Sequence, residues 1–470
     1  MQTARWRLKR QALLNDTDLL HGPLLGKIFA FVLPLMITNL IQNLYNAADM
    51  IIVGMSSVDG AIGAIGTTAA MVNCILNLFM GFAVGASVMV ARAIGERNQD
   101  KTTKAVHTAL VIGMISGIAA MVLGLFISRP ILILLGDQGH ILELAHLYTK
   151  IYFIGVPFIA VTNFFISIFR AKGDTKTPLV ILTITGLLNV VLNLLFVVVF
   201  HMSVDGVALA TTISNLASMI ALAWVLHKDK GWCRLELKKL RIEKYALRGI
   251  IYNGFPAAIQ GVLFSLSNMI IQSSIISINN AQFPGGSDII DGNAAGQSIE
   301  SFAYVATNSV CQAAVTFTSQ HYGGKKFNRM GKVIRDCYIA SFMIAEIMSL
   351  SILFLRIPLA HIYLDSPHAI EACSIRLMHT LSAYFTLASM DTGSGIVRGL
   401  NRSIMSTVVS LLGSCVLRII WIMTIARIYP TLGMVYISYP ISWALTGLCH
   451  FIVAMTVKNR MLKEHPVDED

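Results

Sequence analysis

Long apolar stretches alternate with short polar breaks along the whole chain. Twelve of them reach the roughly 20 residues that a helix needs to cross a hydrocarbon core. They run over 27–54, 61–92, 105–136, 142–168, 178–200 and 205–227, then 249–278, 292–320, 333–360, 368–396, 403–428 and 432–457. The pattern predicts an all-α integral membrane protein with twelve transmembrane helices. Polar positions inside this background stand out by their spacing. Asn39, Asn43, Asn46 and Asp49 follow one another at steps of four, three and three in the first span, which sets them along one helical face. A carboxylate near the bilayer interior costs roughly 2.5–3.5 kcal/mol on insertion scales, so this stripe calls for a partner or a task.

Composition agrees with the pattern. Of 470 residues, 55% are hydrophobic and 13% charged, with a mean hydropathy of +0.68; soluble proteins carry about 25% charged residues. A net charge of +11 would suggest nucleic acid in a soluble chain, but its distribution gives another reading. Lys and Arg gather at the N-terminus, around Arg92–Lys104, at Arg170–Lys176, through Lys228–Arg248, at Lys325–Arg335, at Arg398 and Arg402, and after Lys458. The alternate loops are short and carry Asp59, Asp137, Asp205, Asp288, Asp291 and Asp365. This is the positive-inside distribution. It predicts a multi-pass protein of the plasma (inner) membrane with both termini cytoplasmic, with the lipid bilayer as its partner and no nucleic acid. The basic start leads into a span too long for a signal peptide. The seven cysteines show no metal or redox spacing and are expected to be free thiols.

The chain repeats itself weakly. FRAKGDTKTP (169–178) answers VRGLNRSIMS (397–406) at an offset of 228, and GFAVGASVMVARAIGE (81–96) answers SVCQAAVTFTSQHYGG (309–324) at the same offset. GVALATTIS (206–214) answers GMVYISYPIS (433–442), and Pro34 answers Pro256. Each half holds an even number of spans, so both enter the membrane the same way. Two six-helix bundles related by a parallel pseudo-two-fold repeat are expected, with a substrate path between the halves. The division reads as an N-terminal segment 1–26, a first bundle 27–227, a basic linker 228–248, a second bundle 249–457 and a tail 458–470. Glycine pairs such as Gly81–Gly85 and Gly113–Gly117 are expected to let helices approach closely.

GPLLGKIFAFVLPLMITNLIQNLYNAADMIIVG (22–54), GASVMVARAIGERN (85–98), FRAKGDTKTP (169–178), DGVALATTIS (205–214), AGQSIESFAYVATNSVCQAAVTFTSQHYGGKK (295–326) and SGIVRGLNRS (394–403) come in an order and duplication that resemble the multidrug and toxic compound extrusion transporters. The resemblance covers nearly the whole chain. It implies two bundles that export organic cations in exchange for protons or sodium ions by alternating access, without a cofactor. It also implies a cation-coupling site made of Asp49 in the first span, Asn189 and Asn193 in the fifth and Thr211 in the sixth, with Na+ at Asp49 as one form. Some members carry Asp where this chain has Asn193, which argues against a site with two carboxylates. Depth is consistent with the grouping: at about 1.5 Å per residue, Asp49, Asn193 and Thr211 lie at similar distances from the outer ends of their helices. The plainer reading of these residues is a polar seam joining helices.

In the second half, Glu300 and Asp391 are the notable acids. Arg418 and Arg376 are candidate partners for Glu300, as a structural ion pair or as part of a substrate site, and Asp391 could meet a cationic substrate. Glu346 has no evident partner, and His107, His146, His379 and His450 form no metal motif. A flippase for a lipid-linked precursor is the alternative function. It would need a strongly cationic cavity, for which Arg376 and Arg418 are the only candidates. An enzyme would need a nucleophile with a base, or a metal cluster, and an ATP-driven pump a Walker motif; none is present. A monomer is expected.

Overall fold

The computed structural model describes residues 19–54, 61–134 and 139–464. The described residues are 88% helical, with no strand among them. In order, the helices of the first half are α1 (Leu24–Gly54), α2 (Ala61–Gly95), α3 (Gln99–Leu134), α4 (Gly139–Lys172), α5 (Lys176–Leu194, continued by a π-helical turn Leu195–Val199) and α6 (Val204–Lys228). The second half has α7 (Lys244–Gln282), α8 (Asp288–Gly323), α9 (Phe327–Phe354), the short α10 (Arg356–Tyr363), α11 (Pro367–Leu381) and α12 (Tyr384–Gly399). It ends with α13 (Ser403–Ser410), a π-helical stretch Leu411–Val416, α14 (Leu417–Met423), α15 (Ile425–Ile428), α16 (Leu432–Tyr436) and α17 (Ser438–Glu464).

Ten helical segments among the described residues are long and apolar enough to cross a membrane. The two expected spans that fall short do so for a physical reason. The span at 292–320 is α8, where Thr307, Ser309, Thr316, Thr318, Ser319, Gln320 and His321 are all buried against neighbouring helices. A helix enclosed by protein can satisfy hydroxyls and amides there and need not be apolar. The span at 368–396 is two helices, α11 and α12, separated at Ser382–Ala383.

The contacts divide the chain into two compact units. One takes residues 33–261, and the other takes 22–32 with 262–470. The division falls inside α1, just before Pro34, and inside α7, past Pro256, whereas the sequence suggests the linker 228–248. Both helices run unbroken through their prolines.

In the first unit α4 is the central element, packed on α2, α3 and α6. Its Phe153, Phe164, Phe165 and Phe169 fill the cores between them. The expected glycine contacts occur here. A Cβ on Gly85 would come 2.3 Å from the Ile250 carbonyl oxygen, and one on Gly81 2.3 Å from the Ala258 nitrogen, so α2 and α7 touch backbone to backbone. Between α3 and α4, a Cβ on Gly117 would come 2.7 Å from the Pro157 Cα, and one on Gly113 2.8 Å from the Phe164 ring.

The basic linker is stitched to the ends of α3 and α4. Thr103 donates to the Trp232 carbonyl at 3.2 Å, and Lys172 pairs with Asp229 at 2.9 Å. His107 donates from Nδ1 to the Thr103 carbonyl and accepts the Glu236 amide at Nε2, which fixes a neutral tautomer. Cys233, within this linker, is 3% exposed, and burial pushes its thiol up to about 12. Thiolate is the reacting species, so at pH 7.5 Cys233 is expected to resist N-ethylmaleimide in the native protein and react after unfolding. Equal labelling before and after unfolding, scored by peptide mass, would contradict this packing.

In the second unit α8 takes the central place, packed on α9, α11 and α12. A core of Ile271, Ile275, Leu377, Tyr384, Tyr436 and Trp443 gathers at one end of it.

Candidate functional site

In the first unit the site begins with how α1 meets α5. Tyr45 lies flat against Gly186, where a Cβ would fall 1.8 Å from a ring carbon, and its hydroxyl donates to the Thr183 carbonyl at 3.1 Å. One turn further, Asp49 reaches α5 again, and Asn193 Nδ2 donates to Asp49 Oδ1 at 2.5 Å. Asn193 Nδ2 also donates to Asn189 Oδ1 at 3.2 Å, and Asn189 Nδ2 reaches Thr211 Oγ1 on α6 at 3.5 Å. The four residues singled out in sequence therefore form one hydrogen-bonded chain across α1, α5 and α6.

Its electrostatics are unbalanced. No basic side chain pairs with Asp49 among the described residues, and Asn193 Oδ1 is buried with no donor. Tyr148 and Tyr152 of α4, stacked at 5.8 Å, stand close enough to feel the Asp49 charge. A carboxylate, two amide oxygens and a hydroxyl thus gather where α1, α5 and α6 meet, with Asn193 Oδ1 left without a donor. This is a concentration of hard oxygen donors suited to a proton or a hard cation.

The rest of the stripe does not share this setting. Asn39 and Asn43 are half-buried and Asn46 is exposed. At 3.6 residues per turn, Asp49 stands about 60° round the helix from Asn46, so one can face α5 while the other does not. Tyr45 and Gly186, which sequence reasoning passed over, set the docking. The signal was a lone glycine within an apolar fifth span, opposite an aromatic residue one turn before the acid. Gly186→Val is expected to push Tyr45 off α5 and separate Asp49 from Asn193, cutting transport at least tenfold. Full transport in that variant would show that the docking does not control the site.

In the second unit, Arg376 of α11 grips Glu300 of α8. Its Nε and Nη2 donate to Glu300 Oε2 at 3.1 and 2.8 Å, and Nη1 donates to Asn293 Oδ1 at 2.7 Å. Tyr436 donates to the same Asn293 oxygen at 2.9 Å, and Asn293 Nδ2 donates to Gln272. Of the two candidate partners, Arg376 holds Glu300. Arg418 instead donates from Nε and Nη2 to Ser442 Oγ at 3.3 and 2.9 Å and lies 4.1 Å over the Tyr439 ring. Asp391 on α12 is within hydrogen-bonding reach of Asn308, and its Oδ2 is buried without a partner. His379 donates to the Ile375 carbonyl, and His450 meets Ser410. No group of three metal-ligating side chains occurs among the described residues.

Comparison with known proteins extends this picture. The MatE family profile matches residues 34–195 and 256–424, two blocks that open at Pro34 and Pro256 and follow the internal repeat. Probable multidrug resistance protein YoeA of Bacillus subtilis is 24% identical over 81% of this chain and 82% of its own. Multidrug export protein MepA of Staphylococcus aureus is 20% identical over 94% of this chain and 95% of its own. The solved structure of a multidrug resistance MATE family transporter of the MOP superfamily, in an outward-facing conformation, superimposes with a TM-score of 0.86 at 20% identity. The match covers 95% of this chain and 98% of that one, and it is a likeness of fold.

Proposed function

The chain belongs to the MatE family of multidrug and toxic compound extrusion transporters, and on that premise we propose that it exports amphipathic organic cations by antiport with protons or sodium ions. It is a multi-pass membrane protein, and its relatives are named for multidrug resistance and export. We place it in the plasma (inner) membrane, both termini cytoplasmic, working as a monomer by alternating access without a resident cofactor.

The observation that carries this reading is the hydrogen-bonded chain Asp49–Asn193–Asn189–Thr211, with a carboxylate that has no basic partner among the described residues. A salt bridge would hold Asp49 in one state. A carboxylate held only by an amide N–H can instead exchange that contact for a proton or a sodium ion. The buried Asn193 Oδ1 and Asn189 Oδ1 stand ready to add oxygens around a cation. Coupling then requires that the ion be bound more tightly in one arrangement of the helices than in the other.

The test uses proteoliposomes loaded with ethidium, with proton and sodium gradients imposed separately. One of the two is expected to drive efflux above the leak of empty vesicles. Efflux indifferent to both gradients would remove the antiport reading.

A further inference from the structure

The backbone of the basic linker is pinned to the start of α3 at four points. Thr103 donates to the Trp232 carbonyl, and His107 Nε2 accepts the Glu236 amide at 3.0 Å. Thr108 Oγ1 donates to the Arg241 carbonyl at 3.3 Å and accepts the Glu243 amide at 3.1 Å. His107 and Thr108 are buried, so these anchors belong to the core of the first unit. Between them the chain makes a single 3₁₀ turn, Leu237–Lys239. A cavity of about 500 Å³ lies here, lined from both the linker and α3. That is the size of a small-ligand site, and the pinned backbone forms it in advance of any ligand.

Its lining is net positive. Lys104, Lys238, Lys239 and Arg241 face it together with Asp100 and Glu243. Lys104 pairs with Asp100 at 2.6 Å, Lys239 with Glu236 at 2.9 Å and Arg241 with Glu243 at 2.6 Å. Lys238 has no ion pair among the described residues. Ion pairs open to solvent are weak, so these bases can turn to an entering acceptor. The excess of bases selects an anion, and the two carboxylates weigh against one of high charge. A phosphodiester, with its single negative charge, meets both conditions.

The surroundings point to the source of that group. Leu237, Tyr245, Ile242 and Trp232 are 68%, 52%, 45% and 37% exposed, interleaved in sequence with the bases. Apolar and aromatic side chains mixed with Lys and Arg, just past the ends of membrane-spanning helices, suit the boundary between headgroups and acyl chains. At the end of α6, Lys228 lies 3.8 Å over the Trp224 ring, the same combination. A soluble anion would use the charges and leave Leu237 and Ile242 in water.

We propose that this cavity binds the headgroup of an anionic phospholipid of the phosphatidylglycerol class, taken from the leaflet that the linker faces. Lys238, Lys239 and Arg241 hold the phosphodiester, and Leu237 and Ile242 meet the acyl chains. Phosphatidylcholine carries the same phosphate beside a quaternary ammonium, which these bases repel, so it is the poorer ligand. The site is independent of which ion is coupled and which molecule is exported.

Native mass spectrometry of the purified, delipidated full chain makes the test, by counting lipids retained from an equal mixture of phosphatidylglycerol and phosphatidylcholine. The native protein is expected to favour phosphatidylglycerol by about tenfold, since each Lys or Arg near a membrane surface favours anionic lipid several-fold. Lys238→Gln/Lys239→Gln/Arg241→Gln is expected to lose most of that preference. Lys325→Gln/Lys326→Gln, which removes two bases from the second unit, is expected to keep it. All five side chains are exposed, so the substitutions leave the cores intact. No preference in the native protein, or full preference in the triple variant, overturns the inference. An equal fall in both variants overturns it too, by assigning the preference to general positive charge. Inorganic phosphate added in excess is expected to leave the lipid in place; displacement would give the cavity to a soluble anion and overturn the lipid assignment.

Discussion

Asp49→Asn is expected to abolish gradient-driven efflux, bringing it down to the leak of empty vesicles, while the protein still inserts and folds. The substitution removes the one group in the Asp49–Asn193–Asn189–Thr211 chain that can carry a negative charge. An amide can still accept the Asn193 N–H, so the link between α1 and α5 survives. It can neither take up a proton nor offset the charge of a sodium ion, so the difference in ion affinity that coupling needs is lost. Insertion should be easier, because a charge costing roughly 2.5–3.5 kcal/mol at lipid depth is gone. The separation of effects is the check. Thermal unfolding in detergent should show a midpoint equal to or above the native one, with efflux lost under both ion gradients. Native efflux rates in this variant would reduce the chain to a polar seam that joins helices.

Much of this was legible in the sequence, and for identifiable reasons. Span length and the placement of Lys and Arg fix a multi-pass helical protein, because the bilayer imposes a length and the leaflets impose a charge asymmetry. The repeat announced two like halves. The grouping of Asp49 with Asn189, Asn193 and Thr211 came from family resemblance, with helical rise as a consistency check, and the hydrogen bonds place these four together. Their role in coupling is our proposal.

The misses share one cause: hydropathy and periodicity describe a helix alone, without its neighbours. The polar α8, expected as a span, falls short on hydropathy because its enclosure by α9, α11 and α12 is invisible one residue at a time. Asn46 reads as a member of the stripe because one helical face is wider than the contact made on it. Arg376 and Arg418 read as equal candidates for Glu300, since depth along the membrane says nothing about position around the bundle. Only the packing of α11 on α8 gives Glu300 to Arg376 and leaves Arg418 against Tyr439.

That assignment yields a prediction with a distinctive ordering. Removing one partner of a buried ion pair typically costs 3–5 kcal/mol, because the other is left charged and alone. In this unit the two partners should not cost the same. Glu300→Gln removes the single negative charge and leaves Arg376 and Arg418 facing each other, two positive charges with no carboxylate between them. Arg376→Met leaves Glu300 within reach of Arg418, which already feels its charge, and the cluster becomes neutral. Glu300→Gln should therefore unfold well below Arg376→Met in thermal melts of the purified protein, by a gap of a few kcal/mol. The double variant Glu300→Gln/Arg376→Met returns the cluster to its native net charge. It should recover most of the loss of Glu300→Gln, since apolar replacements for buried pairs are often close to neutral. If Arg376→Met proved the more damaging single change, Glu300 would be shown to gain nothing from Arg418, and the three side chains would act as a pair and a bystander rather than as one cluster.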